Sequence, residues 1–273
     1  MKRFDEVITM RAGAAGPGRA VLDGELDASW LQGKSAFGGL QGAFGLRGLR
    51  AVAGDTLALR ALQVTFVAAI EPGPVHVEAD LLRQGRAVTH AQCRLVGGGQ
   101  VAALMVGLFG ATRASKAILP LAPPADAKPL DSLREAPFLP ELMPGFLQHY
   151  RQRWAEGALP YSASPPRRTR MWAQLREPPA RPDPLFNEAN AVALTDLPPT
   201  PVLSMLERRA PGASLTWLLE FLVDPRELDP TGWLLLQTEA RAAGEGYATQ
   251  TALIWDEAGR GVAVSHQTVA VFG

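Results

Sequence analysis

Val262-Ala-Val-Ser-His-Gln-Thr-Val-Ala-Val-Phe272 alternates as a buried strand should, yet it carries polar groups at its centre. Earlier in the chain, Val101-Ala-Ala-Leu-Met-Val-Gly-Leu-Phe109 reads as the same strand without them. Matching Phe109 to Phe272 sets Leu104 against Gln267. A repeated unit that keeps an amide in only one copy points to chemistry in that copy. Gln267 shares a face with Ala263, Ser265, Val269 and Val271 and is expected to be buried. An unpartnered amide there costs roughly a few kcal/mol, so it needs a partner. His266 falls on the opposite face, as a surface or interface residue.

The repeat extends outward from these two strands. Gly73 to Gly85 and Gly232 to Gly244 are equal intervals. Each leads to a β-rich run, Ala87 to Val96 and Tyr247 to Trp255, and then to a glycine-bearing turn before the last strand. Upstream, Leu57 to Phe66 and Ser214 to Phe221 read as a matched pair of strands. Each half also has one helix candidate. Leu40, Ala43, Phe44, Leu46 and Leu49 mark one face over Gly38 to Arg50, and an alanine-rich run spans Phe186 to Thr195. The glycines of the first cost about 1 kcal/mol each against alanine, which predicts a helix lying close to a sheet. Hairpins are expected over Phe4 to Leu26, and from Phe146–Trp154 with Arg170–Leu175.

Seven prolines between Ala114 and Pro144 exclude a central strand or long helix there. The reading is an N-terminal unit over 1–113, a proline-rich linker over 114–141 and a C-terminal unit over 142–273. Ile118, Leu119, Leu121, Phe138, Leu139 and Leu142 predict a linker lying against the surface, and Arg167-Arg168-Thr-Arg170 a solvated start to a strand. Each unit is a helix wrapped by a curved antiparallel sheet, an α+β arrangement given twice.

The bulk numbers agree with a soluble, cored protein: 273 residues, 47% apolar and 20% charged. Lys plus Arg equals Asp plus Glu at 27 each, so no net field draws in nucleic acid. The single cysteine, Cys93, excludes intrachain disulfides and cysteine-based metal clusters. Met1-Lys-Arg-Phe-Asp-Glu6 lacks the apolar core of a signal peptide, and no run of about eighteen apolar residues exists. A cytoplasmic protein without membrane insertion is expected. Gly97-Gly-Gly99 is a hairpin turn rather than a phosphate loop, and no Gly-x-Ser-x-Gly elbow is present.

In its order of elements the chain resembles the double-hotdog acyl-CoA thioesterase II family. Phe37-Gly-Gly39, the Phe-bearing strand to Phe66, Pro72-Gly73 and Leu82-Arg-Gln-Gly85 carry the likeness in the first half. Ala193-Leu-Thr-Asp196, Ala213-Ser-Leu215 and Ser265-His-Gln-Thr-Val269 carry it in the second. The resemblance implies a double hotdog that hydrolyses acyl-CoA, with the attacking water held by Asp196, Ser214 and Gln267 and no cofactor. It also implies a homodimer. The family's Asp-His-x-x-Trp-Phe-His stretch is here Thr216-Trp-Leu-Leu-Glu-Phe221, with both histidines absent. From local sequence alone, Asp196 reads equally well as a turn former before Pro198-Pro199, and Ser214 as the first polar residue of a strand. A double hotdog that binds acyl-CoA or another apolar ligand without turning it over stays open.

Overall fold

The computed structural model describes residues 1–13, 15–165, 168–179 and 184–272. A short helix α1 (Phe4–Val7) precedes β1 (Arg11–Ala12) and β2 (Arg19–Leu26). A small ribbon, β3 (Leu31–Gln32) and β4 (Ser35–Ala36), opens into α2 (Gly38–Ala53). The strands β5 (Ala58–Phe66), β6 (Gly73–Gln84), β7 (Val88–Gly97) and β8 (Gln100–Gly110) follow. The second half runs β9 (Tyr150–Glu156), β10 (Thr169–Leu175), α3 (Pro184–Thr195), β11 (Gly212–Phe221), β12 (Leu234–Gly244), β13 (Tyr247–Asp256) and β14 (Gly261–Val271). No helix among the described residues is long and apolar enough to cross a membrane.

Twelve strands form one antiparallel sheet in the order β1-β2-β6-β7-β8-β5-β11-β14-β13-β12-β10-β9. The two halves meet at its centre, where β5 pairs with β11 and sets Val64 opposite Trp217. Helices α2 and α3 run antiparallel against each other and against the sheet, the double hotdog expected from the sequence. Helix α2 is buried on nearly every side, as an all-round apolar helix must be. Its glycines serve two contacts. A Cβ on Gly42 would stand 2.9 Å from the Trp217 ring and 3.0 Å from Val192 of α3. A Cβ on Gly45 would collide with Met105 of the sheet. The sequence foretold the close approach to the sheet but not the one to the second helix.

Three expectations need correction. The first concerns the repeat register. Across the β7–β8 turn Leu95 faces Ala103 and Val96 faces Val101; across the β13–β14 turn Ile254 faces Ala263 and Trp255 faces Gly261. Ala263 therefore corresponds to Ala103, and four residues on Gln267 corresponds to Gly107, not Leu104. Leu104 points outward and is 49% exposed. The asymmetry survives the shift, because neither residue of the first half carries an amide.

Second, the opening hairpin is shorter than expected. Glu6 accepts the Arg3 amide at 2.8 Å and closes a helical turn that buries Phe4 and Val7. Pairing starts only at Arg11, opposite Asp23. Third, the proline-rich segment covers the sheet with Leu121 of the expected set but otherwise with different residues. Leu121, Ala127, Leu130 and Leu133 pack on Trp172, Trp233 and Trp255, on the face away from the helices. Ile118, Leu119, Leu139 and Leu142 are exposed. Asp126 fixes this segment by pairing with Arg170 at 2.7 Å and Arg168 at 3.1 Å. Arg170 is thus buried rather than solvated, while Arg167 lies outside the described residues.

Candidate active site

The first turn of a helix leaves backbone N–H groups without intrahelical partners, and Phe37 gives α2 no side-chain cap. The cap comes from the other half of the molecule. Asp196 directly follows α3, and its carboxylate accepts the Gly39 amide. A Cβ on Gly38 would lie 2.6 Å from Asp196 Oδ2, so only glycine admits the carboxylate at that distance. Phe37 stacks on Phe146 at 3.9 Å and holds the start of α2 in place.

The other carboxylate oxygen faces β14. Gln267 Nε2 donates to Asp196 Oδ1 at 2.5 Å, and Gln250 of β13 donates from Nε2 to Gln267 Oε1 at 2.7 Å. Gln250 and Gln267 are direct cross-strand partners, which is why their amides meet. The second link orients the first: with its oxygen held by Gln250, Gln267 turns its NH₂ toward the carboxylate. Trp217, paired with Gln267 across the next strand, donates Nε1 to Ser265 Oγ at 2.9 Å.

Burial dominates the electrostatics. It pushes the Asp196 carboxyl up to about 7, although the hydrogen bonds from Gln267 and Gly39 pull the other way. Among the described residues the carboxylate is held by the neutral donors Gln267 and Gly39, with no cation beside it. A carboxyl with such a value takes and returns a proton near neutral pH.

Of the three residues singled out in the sequence, the structure brings together Asp196 and Gln267. Ser214 stands on the same face of β11, opposite Val269 and one cross-strand step beyond the Trp217–Gln267 pair. It does not line the small cavity beside Asp196. Thr195, Asp196, Thr238, Gln250, Ser265 and Gln267 supply the polar wall of that cavity, with Pro198 and Ala252 as its apolar part. The sequence reading missed Gln250 and Thr238. Thr249-Gln250-Thr251 is polar throughout, so no alternation marks the inward residue; only pairing with Gln267 does.

The match to known proteins follows the same division into halves. Residues 26–110 match the acyl-CoA thioesterase N-terminal domain and residues 124–271 the acyl-CoA thioesterase C-terminal domain. No curated protein matches the chain. A solved hot dog fold protein of unknown function from Alicyclobacillus acidocaldarius aligns with a TM-score of 0.84 at 24% identity, over 99% of this chain and 98% of that one. A protein assigned as a thioesterase II from Thermobifida fusca YX gives 0.79 at 21% identity, over 100% and 98%. The acyl-CoA thioesterase II TesB2 from Mycobacterium marinum gives 0.73 at 18% identity, over 99% and 98%. At such identities these likenesses speak for the fold. The two domain models, met in order and with the Asp196–Gln267 cluster inside the second, place the chain in the acyl-CoA thioesterase family, as a thioester hydrolase.

Proposed function

We propose that the protein hydrolyses acyl-CoA by direct attack of water, with Asp196 as general base and Gln267 holding it in place. The observation that carries this reading is the chain Gly39–Asp196–Gln267–Gln250, in which burial raises a carboxyl to about 7 with no ion-pair partner among the described residues. In the ionised form Asp196 removes a proton from water as its oxygen bonds to the thioester carbon. The carbonyl oxygen takes up the negative charge. Backbone N–H groups in the first turn of α2 are suitable donors for it, since they are preorganised at the positive end of a helix. Collapse of the intermediate breaks the carbon–sulfur bond. The thiolate recovers the proton from Asp196, leaving free acid and coenzyme A. The family resemblance adds the Ser214 hydroxyl to the contacts of the water.

The test is release of free thiol from a panel of short, long and aromatic acyl-CoAs, for the parent and for Asp196→Asn. Turnover that falls at least about a hundredfold in the variant supports the reading, as expected for loss of a general base. Acyl-CoA bound by the parent with no turnover on any substrate would point to the ligand-binding alternative.

A further inference from the structure

Tyr150, the first residue of β9, carries a polar group that the reaction above does not use. Trp30, Phe37 and Phe146 enclose its ring, each set edge-on to it, with centroids at 6.0, 6.3 and 6.4 Å. The residue is 1% exposed, and its hydroxyl is buried without a hydrogen-bond partner. A buried hydroxyl is costly to leave unpaired, so its place in the fold needs a reason. Phe37 directly precedes Gly38, and a Cβ on Gly38 would lie 2.6 Å from Asp196 Oδ2. The phenol and the carboxylate thus border the same start of α2. Burial, and after it the charge of Asp196, hold the phenol well above the usual tyrosine range, so it keeps its hydrogen throughout the working pH range.

The other charged groups nearby are engaged elsewhere. His149 stacks on Trp30 at 3.8 Å and sets Nε2 against Ser29 Oγ at 3.0 Å, in the field of Asp27 and the N-terminus. Arg3 and Asp5 pair with each other at 2.9 Å. Arg176 donates to the backbone carbonyl of Tyr150 at 3.2 Å and pairs with Glu135. Glu188 is taken by Arg50 at the far end of the helices. On the sheet, Glu239 pairs with Arg241 at 3.0 Å, and His266 is exposed beside Thr251.

Resting on the hydrolase reading above, we propose that Tyr150 is a positioning residue for that reaction: its hydroxyl hydrogen turns toward Asp196 when the carboxyl ionises and holds the ionised form. Gln267 and Gly39 are fixed donors, whereas a hydroxyl rotates about its carbon–oxygen bond and so follows the charge. In a dry site such a dipole lowers the cost of ionisation without adding a net charge. The three enclosing rings keep the phenol in place while its hydrogen turns. The proton of the attacking water still moves to Asp196, and Tyr150 neither gives up nor receives one.

Tyr150→Phe keeps the ring and removes the hydroxyl. A hydroxyl without function predicts an equal or higher Tm and an unmoved midpoint of kcat against pH. The positioning role predicts a midpoint about 0.5–1 pH unit above the parent's. The rate then falls about three- to tenfold at pH 6 but by less than about twofold at pH 9, with KM within about twofold. A midpoint within about 0.2 pH unit of the parent's, or an equal loss of rate at every pH, overturns the assignment. A second measurement leaves the side chain's shape nearly unchanged. Protein made with 3-fluorotyrosine carries a more acidic phenol, hence a stronger donor, at each of its three tyrosines. Its midpoint should fall about 0.2–0.5 pH unit below the parent's, and the same label in Tyr150→Phe should produce no fall. A fluorinated enzyme with the parent's midpoint overturns the assignment even where Tyr150→Phe does not fold. A parent indifferent to Asp196→Asn would instead remove the hydrolase reading itself.

Discussion

Replacing Asp196 by asparagine should separate its chemistry from its cost to the fold, with pH as the variable. Burial raises the folded carboxyl from 3.8 to about 7. Between those values the folded protein keeps a proton that the unfolded chain has released. The stability linked to this group is therefore fully present below about pH 4 and is lost as pH rises through about 7. The full shift corresponds to about 4 kcal/mol, and since Asp196 is half-buried, solvent reduces this to about 2–4 kcal/mol. His149 has the opposite slope. Burial against Trp30 lowers its imidazole from 6.5 to about 4, so its contribution is lost as pH falls from about 6.5 toward 4. The parent's own pH profile mixes the two, whereas the difference between parent and Asp196→Asn isolates the carboxyl. Urea unfolding at pH 5 and pH 8 should show the variant gaining about 2–3 kcal/mol on the parent between the two. In the same range the parent's kcat should rise about tenfold from pH 6 to pH 8, with a midpoint near that of Asp196. The variant should show no such inflection. A stability difference independent of pH, or a parent rate flat between pH 6 and 8, would refute the idea that Asp196 titrates near neutrality.

Glu188→Gln should cost about 3–5 kcal/mol in urea unfolding, because Arg50, 6% exposed and held by Glu188 at 2.7 Å, keeps its charge without a counter-ion. Gly38→Ala should lower kcat sharply even though alanine favours a helix by about 1 kcal/mol, since its Cβ would displace the Asp196 carboxylate; unchanged thiol release would count against the contact. His149→Phe keeps an aromatic ring on Trp30 and removes the titration, so its unfolding free energy should gain on the parent by up to about 3 kcal/mol on acidification from pH 6.5 to 4. Trp217→Phe removes the donor to Ser265 and should cost about 1–3 kcal/mol with a smaller effect on kcat, measured by paired unfolding and turnover assays.

The sequence conveyed the layers and half of the site because both were written in short-range patterns. Glycine and proline punctuation placed the strands to within a few residues, and an amide in an apolar strand exposed Gln267. The rest depended on register, which no single strand states. Anchoring the repeat on Phe109 and Phe272 misaligned it by three residues, because the two rings are not equivalent: Phe109 faces Thr89 as Val269 faces Ala248, so Phe109 corresponds to Val269. Gln250 and Thr238 were invisible for the same reason: a polar residue in a strand reads as outward-facing until its cross-strand neighbours are known. Ser214 illustrates the converse. Its local pattern is favourable, yet its place beyond Trp217 sets it apart from the cavity. The linker's exposed leucines show that an apolar residue in a proline-rich segment need not find cover, since three tryptophans on the sheet already select which part docks.

Antiparallel helices of a duplicated fold offer two equivalent ends, and the chain treats them differently. At one end the start of α2 meets Asp196 beyond the end of α3, and Gln267 completes the contact. At the other end Arg50 of α2 and Glu188 of α3 close on each other as a fork of two hydrogen bonds, and Arg50 lies 4.4 Å from the centre of the Phe109 ring. The residue matching Gln267 is Gly107, whose missing side chain makes room for Leu49, and the residue matching Trp217 is Leu62. There Glu188 is committed to Arg50 as a buried ion pair rather than free to accept a proton. The first unit thus shows no counterpart of the Asp196–Gln267 contact among the described residues. What it still supplies is the glycine-lined start of α2, without which the Asp196 carboxylate would have no backbone donor. Neither unit holds a complete site, so activity should require both, and a C-terminal unit expressed alone should not hydrolyse thioesters even where it folds.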